Sequence, residues 1–538
     1  MQTRSDFFFL ICVFLVKIAR KLESSRKALL AIMLLFSLPL FLLAYKQSVS
    51  FHFIDEYNNF MAGYFLLKGK TLYSQIFFQH QPLMAYISYV LQKLLHPNDL
   101  YKLVIYHRFT VFCFALLFDF LLVFRLRLAG FVFVCIFELT KYFLFGTTFL
   151  AESFVVYPIV YILGVVWDVL QKRNIKNIDF WLATIGTWFV LWMREPYIPI
   201  TLFLYLILLL SKRSLRTKIG AIVLITSLSS LTIMSLPLHD YLFELITVNQ
   251  TAVIAPEFQS NHIAGFGAIA LFLYPLLIFF QGIVTYFRGV LILVDLLFLF
   301  TFFQYFIHSK QWKNGLCLIF ILGISNIRMI PPGTVYFGAY HMLVWYGLFV
   351  MMTLLLVSHL YRTEQHTPFR LFTSLFLFVL GLYIVSPINA FIWTKFDKQS
   401  IFNTNYGQYY VNGEVVRQLA DSRTTFFVDG WDSLVYWQAN QPVSYPFLFF
   451  YPPMQYFKLY TNARANMFQT NSPEFVYTGC TIKNGNILGS PFPENTNGEY
   501  TVFYSGANPT CLYMKTASIK QVPKNQWKNI KPFGYYLK

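Results

Sequence analysis

Apolar residues in this chain form long blocks separated by short charged loops. Windows of membrane-spanning length recur from Lys27 to Phe391. They start near Lys27, Val104, Leu128, Ser153, Ile178, Tyr197, Ile219, Phe266, Gly289, Gly315, His341 and Phe369. A spanning helix needs roughly 20 mostly apolar residues. Backbone in lipid must satisfy its own polar groups, so these blocks predict helices, and the short alternating strands of a barrel do not occur. Two stretches after the first block have a different pattern. Tyr57, Phe60, Met61, Tyr64 and Phe65 fall on one helical face, and so do Leu83, Tyr86, Ile87, Val90, Leu91 and Leu94. Neither stretch is apolar all round. They predict two amphipathic helices lying at the membrane interface. Asp55 stands where an N-cap belongs, Gly69 where a C-terminal glycine belongs, and Pro82 at a first turn.

The pattern changes after Phe391. Residues 395–538 are polar, aromatic and rich in Asn, Gly and Pro. VNGEVVRQLAD predicts a helix, TTFFVDG a strand ending at a turn, and DSLVYWQAN a short helix. PEFVYTG, EYTVFYSG and TCLYMKT predict strands. The expected organisation is a cytoplasmic or interfacial segment over 1–26, a membrane domain over 27–394 whose first outer loop covers 46–103, and a small α/β domain over 395–538. The fold class is therefore mainly α: a polytopic helical membrane protein with interfacial helices and a C-terminal extracytoplasmic domain.

Composition agrees. Hydrophobic residues make up 57% of the chain and charged residues 12%, against about 25% charged in soluble proteins. The net charge of +18 does not indicate nucleic acid. The basic residues sit in short clusters between apolar windows, such as Arg125 with Arg127, or Lys172, Arg173 and Lys176. That is the positive-inside pattern of cytoplasmic loops. Twelve windows would put Arg362 and Arg370 outside, so eleven or thirteen spans are expected, with the C-terminus outside. The ambiguity lies in Phe266 to His308, where Pro275, Gly282 and Gly289 can break a helix. Cys480 and Cys511 lie in the polar C-terminal region, where an extracytoplasmic setting would permit a disulfide.

DEYNNFMAGYFLLKGKTLY (Asp55 to Tyr73) and HQPL (His80 to Leu83) follow the first span. Arg108, Glu152, REP (Arg194 to Pro196), Arg328 before YFGAYH, and FFVDGWDSLVYW (Phe426 to Trp437) follow in order. This series resembles the GT-C superfamily of integral-membrane glycosyltransferases, in the protein O-mannosyltransferase and aminoarabinose-transferase branch. Gln81 stands where relatives usually have a proline, and Ser74 and Gln75 where they often have an acid.

The resemblance implies a sugar donor on a polyprenyl phosphate. The acceptor would be a lipid, glycan or protein, attacking at the extracytoplasmic face of a membrane, expected to be a bacterial plasma membrane. Such chemistry needs a carboxylate to take the acceptor proton and positive charge on the leaving phosphate. Asp55 is the expected base, with Glu56 in support and Glu152 as a second catalytic carboxylate. Asp55 and Glu152 would be the ligands of any divalent metal. Arg194, Arg328 and His341 are expected on the donor phosphate. His80, Tyr57 and Tyr340 are expected at the acceptor or in support. The rival reading is a transporter or lipid flippase, which should show repeat symmetry and broken helices. Asp119, Glu138, Lys141 and Asp295 also fall in apolar windows, and Glu138 and Lys141 are spaced to pair on one helix.

Overall fold

The computed structural model describes residues 25–254, 262–264, 285–309, 311–326, 334–336, 339–362, 397–478, 481–483, 486–488 and 498–537. The chain is mainly helical, with a small sheet region near its C-terminus. It divides into two compact units. One comprises residues 1–47, 108–232 and 259–396, the other residues 48–107, 233–258 and 397–538.

Six helices among the described residues are long and apolar enough to cross a membrane. They are Arg26–Gln47, Leu100–Leu126, Ala151–Leu170, Leu215–Met234, Val290–Ile307 and Tyr340–Leu360, each near an expected start. The expected count of eleven or thirteen is not met there. Leu128–Thr140, Asn177–Leu191, Ile198–Leu209 and Trp312–Ser325 have only 13, 15, 12 and 14 residues. At 1.5 Å per residue these fall short of a hydrocarbon core of roughly 30 Å. The windows near Phe266 and Phe369 lie outside the described residues.

In the first unit, Ala151–Leu170 and Leu343–Arg362 pack on each other. Every residue of the former from Ala151 to Trp167 is buried. Leu215–Met234 is the opposite case: only Ala221 is buried, and Leu231 and Met234 are 65% and 82% exposed. Apolar surface of that extent is what a helix facing lipid presents.

The second unit brings the first loop, the segment around 240 and the C-terminal residues together. A six-stranded sheet runs in the spatial order Tyr535–Leu537, Tyr500–Ser505, Asn508–Lys515, Phe475–Thr478, Phe426–Asp429, Phe449–Phe450. Phe426–Asp429 is parallel to both its neighbours, and the remaining pairs are antiparallel. The long helix Lys398–Leu419 is capped by Asp397, whose carboxylate accepts from the Gln399 and Ser400 amides at 3.1 Å. It packs on the short helix Val435–Ala439. Cys511 is disulfide-bonded, and its partner lies outside the described residues.

Two expectations about the first loop need correction. Asp55 is not an N-cap. The helix is Ile54–Leu67 with Phe53 at the cap, which places Asp55 and Glu56 inside its first turn. Gly69 does close that helix, at φ +79°, with its amide on the Leu66 carbonyl. Nor does this helix have one wet face. Nine of its 14 residues are buried, Glu56 and Asn59 among them, so protein covers most of its circumference.

The second amphipathic helix, Leu83–Leu95, buries Met84, Ala85, Ser88 and Gln92. Its apolar face points outward instead, with Val90 46% and Leu94 70% exposed. That inversion suits a helix whose apolar side meets lipid. The segment from Leu238 is also helical, running from Leu238 through Phe243–Val248 to Ile254.

Candidate functional site

In the helical unit, three segments far apart in sequence meet in one buried polar cluster. Glu152 sits in the first turn of Ala151–Leu170, where the helix dipole favours a carboxylate. Arg194 follows the helix Asn177–Leu191 and opens the turn Glu195–Tyr197. Tyr340 and His341 lie in the turn Ala339–Met342, ahead of Leu343–Arg362.

Arg194 Nε donates to Glu152 Oε1 at 3.1 Å, and Nη1 to Glu195 Oε1 at 3.4 Å. The Tyr197 hydroxyl donates to the His341 carbonyl at 3.5 Å. The Tyr340 and His341 rings stand 4.0 Å apart. Glu152, Arg194, Tyr197, Tyr340 and His341 are all buried. Burial works against charge on Arg194, but Glu152 and Glu195 outweigh it and raise its pKa. Arg194 therefore faces carboxylates in this arrangement, and its pairing with Glu195 is joined by a closer one with Glu152.

Deeper in the same unit, Lys141 Nζ lies 2.6 Å from Glu138 Oε2 and 2.7 Å from the Tyr157 hydroxyl. Tyr157 in turn donates to Glu138 Oε1 at 2.5 Å. The expected Glu138–Lys141 pair is therefore present, with Tyr157 as a third member. Asp119 feels the charge of both Glu138 and Lys141. Among the described residues neither of its buried oxygens has a hydrogen-bond partner.

The other carboxylates of interest belong to the second unit. Asp55 is half-buried and Glu56 fully buried. The ring of buried Tyr57 packs edge-on against Tyr409 at 5.3 Å, and the Tyr409 hydroxyl donates to Asp432 Oδ1 at 3.1 Å. Burial pushes the Asp432 carboxyl up, opposed by that hydrogen bond and by His52. Asp429 is likewise raised by burial against the pull of Arg464, whose Nη2 lies 2.6 Å from it. His80 stacks edge-on with Phe78, and its carbonyl accepts from the Tyr73 hydroxyl at 2.7 Å.

The loop from Phe78 to Gln81 is held by the helical segment after Leu238. Glu244 accepts the Phe78 amide at 2.6 Å, Asn249 Nδ2 donates to the Gln79 carbonyl at 2.7 Å, and the Tyr241 hydroxyl donates to Gln81 at 2.9 Å. Asn249 opens a formal glycosylation sequon, yet its amide is committed inside a helix.

Of the residues expected from sequence, the structure brings Glu152, Arg194, Tyr340 and His341 together. Asp55, Glu56, Tyr57 and His80 belong to the second unit, and Arg328 lies outside the described residues. Sequence reasoning missed Glu244, Tyr409 and Asp432. Glu244 had a signal, a lone acid inside the apolar run YLFELITV. No three His, Cys, Asp or Glu side chains among the described residues group as metal ligands. A guanidinium on Glu152 is also a poor neighbour for a divalent ion at that oxygen. No protein-family model matches this chain, and none of the curated proteins is similar enough to count as a match.

Proposed function

We propose that this chain is a membrane glycosyltransferase acting at the extracytoplasmic face, with a sugar on a polyprenyl phosphate as donor. The observation that carries the reading is the buried Glu152–Arg194–Tyr340–His341 cluster. Three residues selected for phosphate and proton chemistry, Glu152, Arg194 and His341, converge there from three distant segments, with Tyr340, expected at the acceptor or in support, beside them. The exposed apolar face of Leu83–Leu95 supports a first loop that rests on lipid. The disulfide at Cys511 supports an oxidising, extracytoplasmic setting for the second unit.

In this reading a carboxylate, Asp55 by the sequence resemblance, takes the proton from the acceptor hydroxyl or amine as that atom attacks the anomeric carbon. The bond to the lipid phosphate breaks, the configuration inverts, and the phosphate leaves with the electron pair. Arg194 stabilises that charge by exchanging a carboxylate for a phosphate oxygen, a swap its planar fork permits. The test is sugar transfer in proteoliposomes from a panel of labelled polyprenyl-phosphate sugars, wild type against Asp55→Asn. Transfer lost in a folded variant supports the base assignment. Transfer retained moves the base to Glu152.

A second reading, a proton- or ion-coupled transporter, is favoured by the Asp119, Glu138, Lys141 and Tyr157 group, because buried ionisable residues in spans mark ion pathways. Its test is flux without transfer in the same vesicles, abolished by Asp119→Asn.

A further inference from the structure

We propose that a basic cavity in the helical unit binds the phosphate of an anionic phospholipid headgroup. The proposal does not depend on the transferase reading. The cavity has a volume of about 530 Å³, within the range of roughly 300–1,000 Å³ typical of small-molecule sites. Five cations line it, Arg26, Arg125, Arg127, Arg173 and Lys176, against two carboxylates, Asp168 and Asp179. The lining is therefore three positive charges in excess.

Both carboxylates pair with Arg125, and Asp168 pairs with Arg173 as well, at 3.5 Å. Arg125 Nη2 lies 2.5 Å from Asp168, and Nη1 holds Asp179. The Tyr161 hydroxyl adds a hydrogen bond to Asp179 at 2.8 Å. These contacts form one wall, and Arg26, Arg127 and Lys176 carry the three remaining positive charges of the lining. Arg26 lies over the Phe124 ring at 4.4 Å, and Lys176 Nζ stands 6.0 Å from the same ring. The Arg26 Nε is buried and has no hydrogen-bond acceptor among the described residues. A phosphate oxygen would supply one.

The position selects the source of the phosphate. Arg26 is the first residue of a candidate span, Arg125 is in the last turn of the second, and Trp167 and Asp168 are in the last turn of the third. Three span ends thus meet at this cavity, the chain returning between the second and third through the shorter helix Leu128–Thr140. That is headgroup depth, and Trp167 is the residue type favoured at that level. Basic pockets between helices at that depth suit anionic headgroups. Loop lysines and arginines of a membrane protein are ordinarily dispersed in solvent. Here they enclose a cavity with aromatic walls and a buried guanidinium nitrogen.

The test is native mass spectrometry of the delipidated full-length chain in neutral detergent. The probes are phosphatidylglycerol, phosphatidylcholine and inorganic phosphate, each added separately. Phosphatidylglycerol is expected to be retained at least tenfold better than phosphatidylcholine. Arg26→Gln with Lys176→Gln should lower that retention about tenfold, while Lys212→Gln with Lys218→Gln, which removes equal charge outside the cavity, leaves it unchanged. Lys176 is exposed, so Lys176→Gln alone provides a variant that folds if the double one does not, and it should show a partial loss. Equal retention in the cavity and control variants would overturn the site. Binding of inorganic phosphate without phosphatidylglycerol would overturn the lipid source.

Discussion

The carboxylate of Glu244 receives the Phe78 backbone N–H at 2.6 Å, and the Tyr460 hydroxyl at 3.1 Å on its other oxygen. Both donors are neutral. Burial pushes the Glu244 carboxyl well above its ordinary value of 4.5, and the two hydrogen bonds only partly oppose this. Between the unfolded and folded values the native state therefore holds a proton that the unfolded chain has lost. Stability falls as pH rises through that window. Glu244→Gln keeps an acceptor for Phe78 and places an amide against Tyr460, without the titration. The variant should melt a few degrees above wild type at pH 8, at about 2–4 °C per kcal/mol. The gap should close toward pH 5. Thermal melts of the detergent-solubilised chain across that range check this, and parallel curves would remove Glu244 as the titrating group.

The same residue shows why some of the structure was legible and some was not. The six long spans and four of the six strands of the C-terminal sheet could be read because their signals are local: 18 or more apolar residues, or a β-rich run bounded by turns. Phe426–Asp429 and Phe475–Thr478 lie inside their quoted runs. The segment after Leu238 carries no such signal, because its polar residues interrupt the apolar pattern. Its Tyr241, Glu244 and Asn249 side chains bond to Gln81, Phe78 and Gln79, more than 150 positions earlier. A partner at that distance leaves no periodicity in one sequence. On Leu83–Leu95 the periodicity was legible, but the side on which lipid and protein lie was not, because both accept an apolar face. The Glu152–Arg194 contact was absent from the sequence reading. Arg194 had an acid beside it in REP, and the closer partner 42 residues away gave no signal.

Arg194 stands between two carboxylates, so its loss should cost more than the loss of either. Arg194→Gln removes the cation from a site where Glu152 and Glu195 remain, at about 3–5 kcal/mol. Glu152→Gln leaves Arg194 on Glu195 and should cost clearly less. The double variant should be more stable than the sum of the single effects implies, because the side chains share one network. Denaturation of the three variants decides it, and strict additivity would mean the cluster does not act as a unit.

Helices Ile54–Leu67 and Leu83–Leu95 approach each other at Gly63. A Cβ built there would lie 2.4 Å from Ser88 Oγ and 2.6 Å from the Ser88 carbonyl carbon. Backbone cannot swing aside as a side chain can. Gly63→Ala should therefore destabilise the second unit by about 1–3 kcal/mol. Gly407, inside Lys398–Leu419, gives the contrast. Its nearest neighbour to a new Cβ is Asn403 Cβ at 3.8 Å. Gly407→Ala should stabilise by about 0.5–1 kcal/mol through helix propensity. Melting temperatures that move in opposite directions would establish the crossing, and a neutral Gly63→Ala would place the helices further apart.

Asp55 separates structure from chemistry most sharply because it is not the helix cap. With Phe53 at that position and no side-chain cap hydrogen bond, Asp55→Asn removes a first-turn charge while keeping the side chain's size. That charge is worth about 0.3–1 kcal/mol at an exposed helix N-terminus. A structural role thus predicts a small drop in melting temperature and transfer near wild type. A base role predicts the same small drop with transfer reduced about 10²–10⁴-fold. Asp55→Glu adds a second contrast, because it keeps the charge while moving the oxygens by one methylene. If Asp55 is the base, that variant should recover part of the rate, whereas Asp55→Asn should not. Measured together, the melts and the transfer rates distinguish a residue that stabilises a helix from one that accepts a proton.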